Sequence, residues 1–269
     1  MNTGLRSLLL LPLAALVACG SSAPSAVGGT TPVSGDYVLS VAFGTSSATT
    51  FTGGLNISGS TVTGLFQFSN ATSACNGTAL PVTGTIGSNN LLTLTSSVFA
   101  GNTATITIQF PLTQNTTFTS SAGGTVQIAA GSSGTNCALS LANIAALYLA
   151  PYNGTWTGTI SNGSVSGTAT LVVAEPITTG TTFNLNASGQ FPATGTISFS
   201  GSSCTIAPIA LTGQVTGYTL QLNQSVSGSQ NPIIVSASET TAPVTFNILV
   251  PSLSSVTCPP GVYSGTITQ

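Results

Sequence analysis

Ala104-Thr105-Ile106-Thr107-Ile108-Gln109-Phe110 alternates apolar and polar residues without a break. A period of two puts Ala104, Ile106, Ile108 and Phe110 on one face of an extended chain, with Thr105, Thr107 and Gln109 on the other. The pattern recurs in Tyr218, Leu220 and Leu222 against Thr219, Gln221 and Asn223. It recurs again in Val244, Phe246, Ile248 and Val250 against Thr245 and Asn247. Turn signals fall between such runs: Gly87-Ser88-Asn89-Asn90, Ser161-Asn162-Gly163 and Thr179-Gly180. Strands with one apolar face and one Thr/Ser/Asn face are half-buried antiparallel strands, so the chain is expected to be all-β. The exception is Leu139 to Leu149, whose Ala and Leu content predicts a short helix.

The strands repeat as a set. Thr63-Gly64-Leu65-Phe66-Gln67-Phe68-Ser69, leading to Cys75, matches Thr194-Gly195-Thr196-Ile197-Ser198-Phe199-Ser200, leading to Cys204. Thr83-Gly84-Thr85-Ile86 then parallels Thr212-Gly213-Gln214-Val215, and Leu92-Thr93-Leu94 parallels Leu220-Gln221-Leu222. The openings correspond too, Gly35-Asp36-Tyr37-Val38-Leu39 with Gly154-Thr155-Trp156-Thr157-Gly158. This divides the chain into a first β-domain, 35–150, and a second, 151–269. About eight antiparallel strands per unit fit a small up-and-down barrel or a two-sheet sandwich. Closure is favoured because Lys, which usually blunts sheet edges, is missing. The second unit also ends in Gly261-Val262-Tyr263-Ser264-Gly265-Thr266-Ile267, a near copy of its opening, so first and last strands could lie side by side.

Four cysteines serve the repeat, one early and one late in each half: Cys75, Cys137, Cys204 and Cys258. With no C-x-x-C pair and no His, a metal site is not expected. The repeat-symmetric pairing is Cys75–Cys137 and Cys204–Cys258. Trp156, Tyr37 and Tyr263 are expected to be core anchors at equivalent strand positions. The Asn-x-Ser/Thr triplets at Asn70, Asn76, Asn115, Asn153 and Asn162 read as turn chemistry.

Charge is nearly absent, which accounts for a mean hydropathy of +0.48. The only basic residue in the chain is Arg6. Beyond Cys19 there remain Asp36, Glu175 and Glu239, read as solvated loop or edge residues. Nucleic-acid binding needs Lys or Arg against phosphates and is excluded. General acid–base and Ser-His-Asp catalysis lack their titrating partners, so no enzyme, cofactor or catalytic residue is expected. With exposed carboxylates alone, stability should be nearly flat between about pH 3 and 8.

The chain opens with Arg6, an apolar run from Leu8 to Val17, then Gly20-Ser21-Ser22. That run of about ten residues is too short to cross a bilayer, which takes roughly 20. The order is that of an export signal. Leu16-Val17-Ala18-Cys19 resembles the bacterial lipobox, which implies cleavage after residue 18 and diacylation of Cys19. Residues 1–18 are then the leader and 19–34 a flexible tether. Gly20 after the cysteine implies, by the same resemblance, sorting to the outer membrane.

Taken with the Ser/Thr-rich strands and one cysteine pair per repeat, the chain is similar to surface lipoproteins of soil bacteria with tandem β-domains. That resemblance implies a cell-envelope protein whose membrane partner is reached through the lipid on Cys19. The expected function is a non-catalytic structural or adhesive module. The alternative is a lipocalin-like carrier holding a small apolar ligand inside each barrel. A third reading is one transmembrane barrel of about sixteen strands, although such barrels carry aromatic girdles that this chain lacks.

Overall fold

The computed structural model describes residues 33–41, 49–99, 102–114, 119–131, 137–179, 182–225, 232–238, 244–252 and 257–269. The leader, Cys19, the tether to residue 32, Asn115 and Glu239 lie outside the described residues.

The first unit contains β1 (Gly35–Val41), β2 (Thr50–Ser58), β3 (Thr61–Ser69), β4 (Ala79–Ile86), β5 (Leu91–Phe99) and β6 (Asn102–Gln109). A two-residue β7 (Thr113–Gln114) precedes β8 (Thr119–Ala129) and β9 (Leu139–Leu149). Each long strand pairs antiparallel with the next, β6 with β8, and β9 returns to β1 in the register Tyr37↔Tyr148. Eight strands therefore close into a barrel.

The second unit runs β10 (Gly154–Ser161), β11 (Ser166–Ala174), a small hairpin of β12 (Thr178–Thr179) and β13 (Thr182–Phe183), then β14 (Phe191–Gly201) and β15 (Thr205–Thr216). It continues with β16 (Thr219–Gln224), β17 (Ile234–Ser238), β18 (Val244–Val250) and β19 (Gly261–Ile267). Its barrel closes where the look-alike first and last strands meet, Ile160 opposite Gly265. Both units are up-and-down barrels, so neither the sandwich nor a single sixteen-strand barrel is adopted.

The expected helix at Leu139–Leu149 is not formed: this segment is β9. Helix propensity is worth only tenths of a kcal/mol per residue. Here the chain gains hydrogen-bonded ladders on both edges, to β1 and β8. Its alternation also suits a strand, with Ala142, Ile144 and Ala146 buried and Leu141, Asn143 and Ala145 exposed.

The repeat survives as geometry. The matched segments occupy the third, fourth and fifth strands of each barrel. Both disulfides, Cys75–Cys137 and Cys204–Cys258, tie the loop after the third strand to the loop before the eighth. Each bridge thus crosses one end of its barrel, opposite the end where the chain enters and leaves.

A local device appears three times. Tyr37 donates its hydroxyl to Val33 O at 2.8 Å, Trp156 its Nε1–H to Tyr152 O at 3.2 Å, and Tyr263 its hydroxyl to Pro259 O at 2.9 Å. Each acceptor lies four residues upstream. Two residues before each aromatic stands a glycine at positive φ: Gly35 at 153°, Gly154 at 119° and Gly261 at 142°. Such backbone costs an L side chain dearly. All three rings are buried, as their equivalent positions predict.

Among the described residues, the inward side chains of both barrels are buried. In the first, Leu39, Phe51, Leu55, Phe66, Leu92 and Ile106 have 0% exposure; in the second, Trp156, Leu171, Phe191, Leu220, Val235 and Phe246 do. A side chain with no surface open to a water-sized sphere borders neither solvent nor a water-sized void. Outward, hydroxyls replace charge. Thr61, Thr85, Thr93, Thr107 and Thr125 stand side by side on five successive barrel strands, and Thr107 Oγ1 and Thr125 Oγ1 are 2.7 Å apart.

Candidate functional site

The chain leaves β9 at Leu149 and enters β10 at Gly154, so four residues join the barrels. The joint brings the β11–β14 connection and the β15–β16 turn of the second barrel against the wall of the first. Gly54 on β2 is so close to Phe191 and Leu185 that any side chain there would overlap the Phe191 ring. Gly217, at a φ of 51°, turns the chain against the side chains of Val38 and Thr52. This explains why Val38 is buried although it points out of its own barrel, between the inward Tyr37 and Leu39.

Two carboxylates are buried, contrary to their expected solvation, Asp36 in this seam and Glu175 at the joint. Asp36 is 3% exposed on the outward face of β1, opposite Gly54 on one side and Leu149 on the other. Glu175 is 1% exposed just beyond β11. Read alone, the first barrel leaves Asp36 on an outer wall, which the second barrel covers; Glu175 belongs to the second barrel, one residue past β11 and in step with the buried Ala169, Leu171 and Val173.

Glu175 clasps the joint. Its Oε2 accepts the Tyr152 N–H at 2.7 Å, and its own N–H donates to Asn153 Oδ1 at 2.6 Å. Its Oε1 is buried without a hydrogen-bond partner. Tyr152 OH donates to Tyr218 O at 2.9 Å, and Gln269 Nε2 donates to Asn153 O at 2.6 Å. Tyr218, expected on a strand, stands instead in the turn before β16 and belongs to the seam. The structure also brings the two acids to one neighbourhood. Burial raises the Tyr148 phenol, and the negative fields of Glu175 and then Asp36 raise it further. Burial, then Asp36, does the same to Tyr218.

Burial pushes the Glu175 carboxyl up to about 7, with the Tyr152 hydrogen bond pulling the other way. The burial of Asp36 and Glu175 removes the premise of a flat pH profile, which was that the carboxylates are exposed. A folded-state value above the unfolded one near 4.5 means the native state binds the extra proton. Stability is then full below about pH 4.5 and declines as pH rises through about 7. Complete ionisation in place would cost about 3 kcal/mol. Thermal melts should show a midpoint lower at pH 8 than at pH 5 by up to about 10 °C. Glu175→Gln should remove most of that difference.

No cluster of three or more His, Cys, Asp or Glu side chains suited to a metal occurs among the described residues. Of the sequons, Asn70 Oδ1 accepts Thr72 N–H at 3.0 Å and Asn162 Oδ1 accepts Val165 N–H at 2.8 Å, both in turns. Asn76 Oδ1 caps Asn70 N–H at 3.0 Å. Asn153 serves the interbarrel joint. The seam was not legible as a site: only the presence of carboxylates at Asp36 and Glu175, in a chain almost without charge, marked them out. No family model, curated protein or solved structure matches this chain.

Proposed function

We propose that the protein is a lipid-anchored, non-catalytic module of the cell envelope, held at the outer membrane through diacylated Cys19. It acts structurally or adhesively through its outer walls. The observation that carries this reading is the filling of both barrels. A carrier needs an interior void matched to its ligand, whereas here the described inward side chains, aromatic and aliphatic, form one buried cluster in each barrel. The hydroxyl-lined outer wall is left as the surface available to a partner. It carries no Lys or Arg, so an anionic partner such as nucleic acid has nothing to bind. Two disulfides accord with an oxidising, extracytoplasmic compartment.

Mass spectrometry of the detergent-phase protein tests the anchor. The expected N-terminal peptide begins at Cys19 and carries acyl chains, each adding roughly 0.8 kcal/mol per buried methylene to membrane binding. Cys19→Ala should release the protein from the membrane fraction. An unmodified N-terminus beyond Ala23 would contradict the proposal.

A further inference from the structure

After Cys19 the chain contains no Lys, Arg, His or Met, and its four remaining cysteines are all in disulfides. Avoidance of charge accounts for the first three. It does not account for methionine, which is neutral and fills irregular gaps in cores well. What all the missing groups share with a free thiol is a nitrogen or sulfur atom that electrophilic oxidants attack. The oxidisable side chains that do remain are withdrawn from the surface. Trp156 and Tyr37 are 0% exposed, Tyr152 and Tyr263 are 1%, and no cysteine of either disulfide exceeds 7%. Oxidation of a side chain follows its access to solvent. Only Tyr148 on β9 and Tyr218 in the β15–β16 turn are half-buried rather than buried. The outer walls present Thr and Ser hydroxyls with Asn and Gln amides, groups that react far more slowly than thiols, thioethers or amines.

We propose that the protein presents an oxidant-inert surface, one that takes up no oxygen from electrophilic oxidants such as hypochlorous acid and keeps both barrels folded among them. The inference deepens the envelope reading and rests on it, because an exported chain works beyond the reach of cytoplasmic reductants. Inertness itself belongs to the barrels and does not depend on whether Cys19 is acylated. Where hypochlorous acid does react, the step is aromatic substitution at a phenol. A ring C–H of Tyr148 or Tyr218 becomes C–Cl, and the displaced hydrogen leaves with the oxidant's OH as water.

The chain from residue 19 onward, carrying Cys19→Ala, is treated with a rising excess of hypochlorous acid. Free methionine then quenches the reaction and strips chlorine from the terminal amine. Intact mass, Trp156 emission and far-UV circular dichroism are read at each dose. The expected result is no added oxygen, constant emission and circular dichroism, and chlorine confined to Tyr148 and Tyr218. Thr85→Met, which sets a thioether on the exposed outer wall of β4, should gain one oxygen at the lowest doses. The double variant Tyr148→Phe with Tyr218→Phe should take up no chlorine. Oxygen uptake or loss of Trp156 emission in the unmodified barrels, at the dose that saturates Thr85→Met, would overturn the proposal. Should the double variant fail to fold, peptic mapping decides instead, and chlorine found outside Tyr148 and Tyr218 would overturn it. An inert chain whose Cys19 proves unacylated in cells would count against the anchor and for this inference.

Discussion

Trp156→Ala should lower the stability of the second barrel by about 3–5 kcal/mol, the usual cost of emptying a large aromatic site in a packed core. The ring is wholly buried on the first strand of its barrel, beside the joint. Three losses coincide: apolar burial, the contacts of the surrounding wall, and the partner of Tyr152 O. Trp156→Phe keeps most of the first two and gives up the hydrogen bond, so its cost should be nearer 1 kcal/mol. Urea titrations check this, with the midpoint of the second barrel's transition falling and its slope unchanged. Near-equal costs for the two variants would mean that the hydrogen bond, and not the packing, anchors the ring.

Removing the Cys204–Cys258 bridge, as the double variant Cys204→Ala with Cys258→Ala, should cost about 4 kcal/mol in the chain-entropy account. The bridge closes a separation of 54 residues, and the unfolded chain regains that freedom when it is cut. The effect should be confined to the second barrel because the other bridge, Cys75–Cys137, is untouched. Calorimetry should therefore show one transition moved to lower temperature and the other in place. Two transitions that fall together would mean that the barrels unfold as one unit, with the seam far stronger than its glycine-lined packing implies.

The barrels were legible because their signals are local or repeated. Alternation at Ala104–Phe110 needs only one face to be wetter than the other, and the wall of the first barrel provides that. Cysteine pairing followed from the repeat, which places each thiol at the same loop in both units. The resemblance of Gly154–Ile160 to Gly261–Ile267 marked the strands that close the second barrel, where Ile160 faces Gly265. What failed depended on contacts distant in the chain. Leu139–Leu149 carries helix-favouring residues, and its state is decided by β1, about a hundred residues earlier, together with β8. Asp36 reads as solvated because nothing near it in sequence announces a second barrel resting on β1 and β2, and Glu175 because its partners, Tyr152 and Asn153, lie 23 and 22 residues earlier. Gly54 and Gly217 gave the same silence: a glycine in a strand or turn is ordinary until another domain is found against it.

The claim on which the functional reading turns is that both interiors are full. Titration of the mature, delipidated chain with a fluorescent fatty acid, followed through Trp156, tests it most directly, because that ring lies in the core of the second barrel. The account predicts no saturable change in Trp156 emission and no displaceable probe at one or two sites per chain. Saturable binding with that stoichiometry, competed by unlabelled apolar ligand, would contradict it and make the protein a carrier.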